Sequence, residues 1–348
     1  MASTPRTINR TDVAQFAPLI PLYLFLFTLM SAHFFVAWWV SLRTIDQLLP
    51  LRHFANVMVL GTMPVLGFSL IVALKITHRR VEKPASALVR TLRRNRAWII
   101  RSIGVFALLL PSAQAFVALK VAIPRIEPFY ADPYLVRIDR WLFFGFDPWR
   151  ITHAIANETA TVAIDAAYAA WAVAATGVML WAAFDRDPRF QFVAVASLFC
   201  IWAGLGNLLA VQLSSVGPIF YQHFYGSPYF APLMANLSPD LILFEARSFL
   251  LGNFGEEQFG SGISAAPSLH VAVTTLLFLM VREKFRNRWL TLTFGFYLGL
   301  IVFGSVHLAW HYAVDGLISI ALVVCIWRLV SFVTDLSLRS RPPVIGNG

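Results

Sequence analysis

Eight runs of roughly 20 apolar residues, at about 16–40, 55–74, 98–122, 161–184, 190–213, 267–281, 289–306 and 309–334, dominate this chain. At a helical rise of about 1.5 Å per residue, such a run matches the hydrocarbon thickness of a bilayer. With 58% hydrophobic and 13% charged residues over 348 positions, soluble globular domains are excluded. Backbone polar groups inside a bilayer are satisfied only in helices or closed barrels, and these runs are too long for barrel strands. The expectation is an all-α polytopic membrane protein with about eight transmembrane helices. The first run, Phe16–Val40, is too long for the apolar part of a signal peptide and is read as a retained span. Cys200 and Cys325 both lie inside apolar runs, so no disulfide framework is expected.

A formal charge of +10 could suggest nucleic acid, but the basic residues sit in short loops between spans, where they set topology. No nucleic-acid partner is expected. The 75–97 loop carries eight Lys/Arg against one Glu, and the 282–288 loop four against one. The long 123–160 connection has four Arg against five acids, and 214–266 has one Arg against four. With both termini cytoplasmic, the basic loops fall inside and the two long connections outside, which in a bacterial cell means the inner membrane. The end of the third span and the starts of the sixth and eighth then share the external surface.

Those three ends hold the unusual polar residues. In "GSVHLAWHYAVDGLI", residues 304–318, His307, His311 and Asp315 are spaced four apart, which on one helix places them on a single face. Titratable groups are expensive inside a membrane and mark function. A carboxylate on Nδ1–H of His311 would fix its tautomer and leave Nε2 with a free lone pair. His270, in "APSLHVA", begins another helix at the same surface. Pro267 suits a first helical position, Ser268 can serve the free backbone amides, and a helix start favours an anion. An anion beside a nucleophilic His and an acidic His points to phosphoryl transfer.

"APSLH" followed about 40 residues later by "HYAVD" resembles the second and third signature motifs of the type 2 phosphatidic acid phosphatase superfamily. The Leu of P-S-L-H, the H-Y-x-x-D ending and the upstream "LKVAIPRIEPFYADPY" are similar to its inositolphosphotransferase-like branch, which includes inositol phosphorylceramide synthases. The resemblance covers roughly 115–330 and implies a six-helix phosphatase-like core. It divides the chain into an accessory segment (1–97), a catalytic core (98–334) and a cytoplasmic tail (335–348). It makes His311 the nucleophile that forms a phosphohistidine, Asp315 the group that orients it and His270 the acid that protonates the leaving oxygen. Water then gives a phosphatase, and an alcohol gives a transferase.

Lys120 and Arg125 stand where the superfamily's first motif would hold phosphate, although Lys120 alone matches its spacing loosely. With Ser268 and His307 they form the expected substrate-binding set. The Arg that precedes the nucleophile by six residues is replaced by Ser305, so Arg125, Arg137, Arg140 or Arg247 is expected to supply that charge. The three motif stretches lack the acidic clusters that hold Mg²⁺, so neither metal nor cofactor is expected. The expected partners are a lipid phosphate, a hydroxyl acceptor lipid in the transferase case, and the bilayer. The competing reading is a transporter or proton relay, because intramembrane His and Asp also mark ion pathways. That class would show inverted repeats and paired broken helices, and the sequence shows neither.

Overall fold

The structure is a computed structural model describing residues 16–44, 84–256 and 261–339. The chain runs through α1 (Ile20–Thr44), a short amphipathic α2 (Pro84–Arg94) and α3 (Arg96–Ile126). Two short helices, α4 (Asp132–Leu142) and α5 (Pro148–Ile155), precede α6 (Glu158–Phe184) and α7 (Pro188–Gln212). The second long connection holds α8 (Pro218–Tyr225), α9 (Ala231–Ala235) and α10 (Ile242–Gly252). The bundle closes with α11 (Leu269–Phe285), α12 (Arg288–His307) and α13 (Ala313–Arg339). No strand occurs among the described residues.

Six of these helices (α1, α3, α6, α7, α12 and α13) are long and apolar enough to cross a membrane. The protein is a multi-pass helical membrane protein. The expected 55–74 span lies outside the described residues. The sixth expected span is α11, only 17 residues long. It lies in the middle of the bundle against α6, α7, α12 and α13, and Val271 through Leu277 are buried. Protein rather than lipid covers most of this helix, so it does not have to match the bilayer by itself.

One expectation is corrected. His307, His311 and Asp315 do not share a helix face, because α12 ends at His307 and α13 begins only at Ala313. Ala309 between them takes a left-handed conformation (φ 62°), which a helix-compatible Leu-Ala-Trp stretch does not announce. The reversal puts His311 in a turn, its amide bonded to the Ser305 carbonyl at 2.9 Å.

Most of the core falls into two clusters. One surrounds Phe190, Leu198, Leu276, Met280 and Trp327. The other surrounds Ile164, Tyr168, Val271, Ile301 and Tyr312, beneath the two long connections. At the basic end Arg189 bridges Glu283 and Asp335, tying α7, α11 and α13 together at 2.5 and 2.6 Å. That clamp holds the helices at the end opposite the polar motif residues.

Candidate active site

His311 sits in the α12–α13 turn with only 6% of its surface exposed. Its Nδ1 lies 2.8 Å from the carbonyl oxygen of Ala265. A carbonyl only accepts, so Nδ1 must carry the proton and a neutral ring keeps its lone pair on Nε2. The sequence assigned this orienting role to Asp315. Asp315 Oδ2 is 3.7 Å from Nδ1, beyond hydrogen-bond length, and instead accepts the Tyr312 amide at 3.1 Å. Its other oxygen, Oδ1, is buried with no hydrogen-bond partner among the described residues. Asp315 therefore stands close to the imidazole as a fully buried carboxyl group, while a backbone carbonyl makes the hydrogen bond to Nδ1.

His270 is the second residue of α11, and its ring centroid is 5.6 Å from that of His311. Its imidazole lies between Tyr168 (4.6 Å, stacked) and Trp171 (4.2 Å), and Trp171 Nε1 donates to the His270 carbonyl. The ring nitrogens have no protein hydrogen-bond partner among the described residues, so aromatic walls alone set the ring's orientation. Ser268 is the N-cap of α11, its Oγ accepting from the Val271 amide at 3.4 Å. Pro267 stands one residue before the cap rather than at the first helical position.

Lys120, near the end of α3, is close enough to His270 for their charges to interact. It has no hydrogen-bond or ion-pair partner among the described residues. The 261–266 segment passes against it through Gly262 (φ +97°), where an added Cβ would stand 3.3 Å from the Lys120 backbone. The same segment carries the Ala265 carbonyl, so one short stretch lies against both Lys120 and His311. Its other side is pinned by Ser215, whose Oγ accepts the Ala266 amide at 2.9 Å. Gly217 (φ +84°) lies against the Trp310 carbonyl, where any side chain would collide.

The remaining expected site residues bond to groups other than the two histidines. Arg125 is exposed and donates to the Gly255 carbonyl at 2.9 Å. His307 is fully buried, its Nε2 2.9 Å from the Thr161 hydroxyl and its Nδ1 3.2 Å from that of Thr152. It stacks on His153 at 4.0 Å. Of the cations considered as replacements at position 305, Arg137 bonds the Pro133 carbonyl, Arg140 the Gly145 carbonyl and Arg247 the Ile219 carbonyl. Ser305 itself donates to Val302 and is 1% exposed.

Two aspartates that the motif reading passed over organise the site. Asp132 and Asp139 lie on the buried face of α4. Asp132 accepts the amides of Val216 and Gly217 and the hydroxyls of Tyr225 and Tyr312, all at 2.8–3.1 Å. Asp139 caps α13, accepting the amides of Ala313 and Val314 at 2.8 Å each. Burial pushes the Asp139 carboxyl up to about 7 despite those two bonds, and it raises Asp132 too. Their spacing of seven residues, placing both on one side of a helix, is the signal that sequence inspection had available. Among the described residues no group of three or more His, Cys, Asp or Glu is placed to hold a metal.

The family model of the PAP2 superfamily matches residues 133–329, more than half of the chain. The chain belongs to the PAP2 superfamily. The matched region contains His270, His311 and Asp315 as well as Asp139, whereas Lys120, Arg125 and the helices α1 to α3 precede it. Membership gives the protein a phosphatase-type function on phosphate esters, with a lipid phosphate as the substrate class suited to its membrane setting. No curated protein and no solved structure matches the chain.

Proposed function

We propose that this PAP2 superfamily member cleaves or transfers a lipid-linked phosphate through a covalent intermediate on His311. The observation that supports this most directly is the Ala265 carbonyl on Nδ1, which leaves Nε2 as the nucleophilic atom beside His270. In the first step Nε2 attacks phosphorus, the bond from phosphorus to the lipid oxygen breaks, and protonated His270 gives its proton to the departing alkoxide. In the second step His270 takes a proton from water or an alcohol, whose oxygen attacks phosphorus and displaces Nε2. Asp315 balances the positive charge on the His311 ring, and Lys120 faces the charge that grows on the phosphoryl oxygens. Uncatalysed phosphate-monoester hydrolysis needs accelerations of up to about 10²¹-fold, and covalent catalysis with a placed acid and cation lowers that barrier in two smaller steps.

The P-S-L-H and H-Y-x-x-D signatures favour the inositolphosphotransferase-like branch, with a hydroxyl lipid as acceptor. Of the substrate-side set read from the sequence, Ser268 acts through the helix start that it caps, whereas Arg125 and His307 are engaged by other groups. The basic short loops support a site on the extracytoplasmic side, with both termini cytoplasmic. Purified protein incubated with a panel of ³²P-labelled lipid phosphates, with and without ceramide and an inositol-bearing phospholipid, tests the reading. Free phosphate without an acceptor identifies a phosphatase, and label moving only between lipids identifies a transferase. Inertness toward every lipid phosphate in the panel would refute the proposal.

A further inference from the structure

Helix α4 has three distinct sectors. At about 100° per residue, positions 134, 138 and 141 fall within a stripe about 60° wide. Tyr134, Ile138 and Trp141 on that stripe are 56%, 41% and 79% exposed. The stripe runs on into the turn after α4, where Phe144 is 93% and Phe146 63% exposed. Phe144 is also left-handed (φ 54°), a conformation unfavourable for a bulky side chain. The turn is tied down, with the Gly145 amide on the Arg140 carbonyl and Arg140 Nε on the Gly145 carbonyl. It therefore holds an aromatic ring outward against both its backbone preference and its aversion to water.

The second sector carries Arg137 and Arg140 on the flank, where long basic chains can reach headgroups. The third is the buried one. There Asp139 holds the first amides of α13, and Asp132 holds the Tyr312 hydroxyl, the residue next to His311. One short helix thus joins an outward apolar ridge to the turn that carries the nucleophile. Its position is constrained, because α3 reaches the site end of the bundle at Ile126 and α4 begins at Asp132. Aromatic residues with flanking arginines concentrate at the boundary of a bilayer.

We infer that the outer face of α4 and its following turn insert into the bilayer leaflet at the site end, and that α4 thereby fixes the depth of His311 relative to the lipid headgroups. This rests on the lipid-phosphate reading above for its functional half only. The test uses full-length protein in liposomes, with Cys200→Ser and Cys325→Ser and an NBD label on Phe144→Cys, and on Trp141→Cys in a second variant. Insertion predicts quenching of both labels by doxyl-phosphatidylcholine and protection from aqueous iodide. Iodide quenching without doxyl quenching would place the ridge in water, and quenching by neither would mean that a second copy or another protein surface covers it. Either result overturns the inference.

The functional half is read with Trp141→Gln, Phe144→Gln and Phe146→Gln combined. Turnover of lipid phosphate in vesicles should fall about tenfold, while turnover of soluble p-nitrophenyl phosphate changes by less than about twofold. Equal effects on the two substrates would overturn the depth role. Failure of the wild type on every phosphate would instead count against the phosphatase reading, leaving the quenching result to stand by itself.

Discussion

The Nδ1 of His311 is held by the backbone carbonyl of Ala265 at 2.8 Å, while the Asp315 carboxylate stands 3.7 Å from the same atom. The residue that would orient the nucleophile in a His–Asp pair is therefore not the one that makes the hydrogen bond. The hydrogen bond to the ring and the nearest carboxyl group come from two different places, a backbone atom and a side chain.

Asp315→Asn tests that division. The amide can still accept from the Tyr312 amide, and Ala265 still holds the tautomer, so only the charge is lost. We predict a fall in kcat of about 10²-fold with thermal stability preserved. Where a carboxylate alone sets the tautomer, the corresponding loss is about 10⁴-fold. A loss as complete as that of His311→Ala would return the orienting role to Asp315.

Asp139 gives the stability a pH signature. Its folded-state value of about 7 lies above the ordinary aspartate value of 3.8, so the native protein keeps a proton that the unfolded chain has released. Its contribution is greatest below that ordinary value and is lost as pH rises through the window between the two. Melting temperatures of the solubilised protein from pH 4.5 to 8 should show this slope, and Asp139→Asn should flatten it. Identical slopes in both proteins would contradict the assignment. Asp139→Ala should be less stable at every pH by about 1–2 kcal/mol, because two buried amides at the start of α13 lose their partner.

His307 separates packing from binding. With both ring nitrogens on threonine hydroxyls, its loss should lower stability by about 1–2 kcal/mol and leave KM nearly unchanged. A raised KM with an unaltered melting temperature would instead make it a phosphate or headgroup ligand.

Much of this was legible in the sequence, and the exceptions have physical causes. Apolar runs have to be helices in a bilayer, so seven of the eight were found within the described residues and the meeting of their ends followed from alternation. The His311 turn was not legible. A left-handed Ala309 carries no glycine to mark it, and a four-residue spacing is equally compatible with a helix. The Ala265 carbonyl was invisible for a different reason, since a backbone acceptor leaves no trace in residue type. Asp132 and Asp139 were passed over because α4, read alone, looks like a polar surface helix. Its buried face is revealed only when α13 and the 214–217 loop are laid against it.

His270 can be separated from the nucleophile by leaving group. An acid matters most when the departing oxygen is a poorly stabilised alkoxide. His270→Ala should lose about 10²–10⁴-fold on alkyl phosphates and recover much of that on p-nitrophenyl phosphate. His311→Ala should be inactive on both. Equal losses on the two esters in His270→Ala would reassign it to phosphate binding.

A bond between phosphorus and His311 is measured directly as covalent label on the enzyme. A ³²P-labelled lipid phosphate is mixed with enzyme for a short interval, quenched in alkaline detergent and separated from lipid. Phosphoryl transfer to His311 predicts protein-bound ³²P that is stable in base, lost in acid and absent from His311→Ala. The same amount of label in His311→Ala would contradict it.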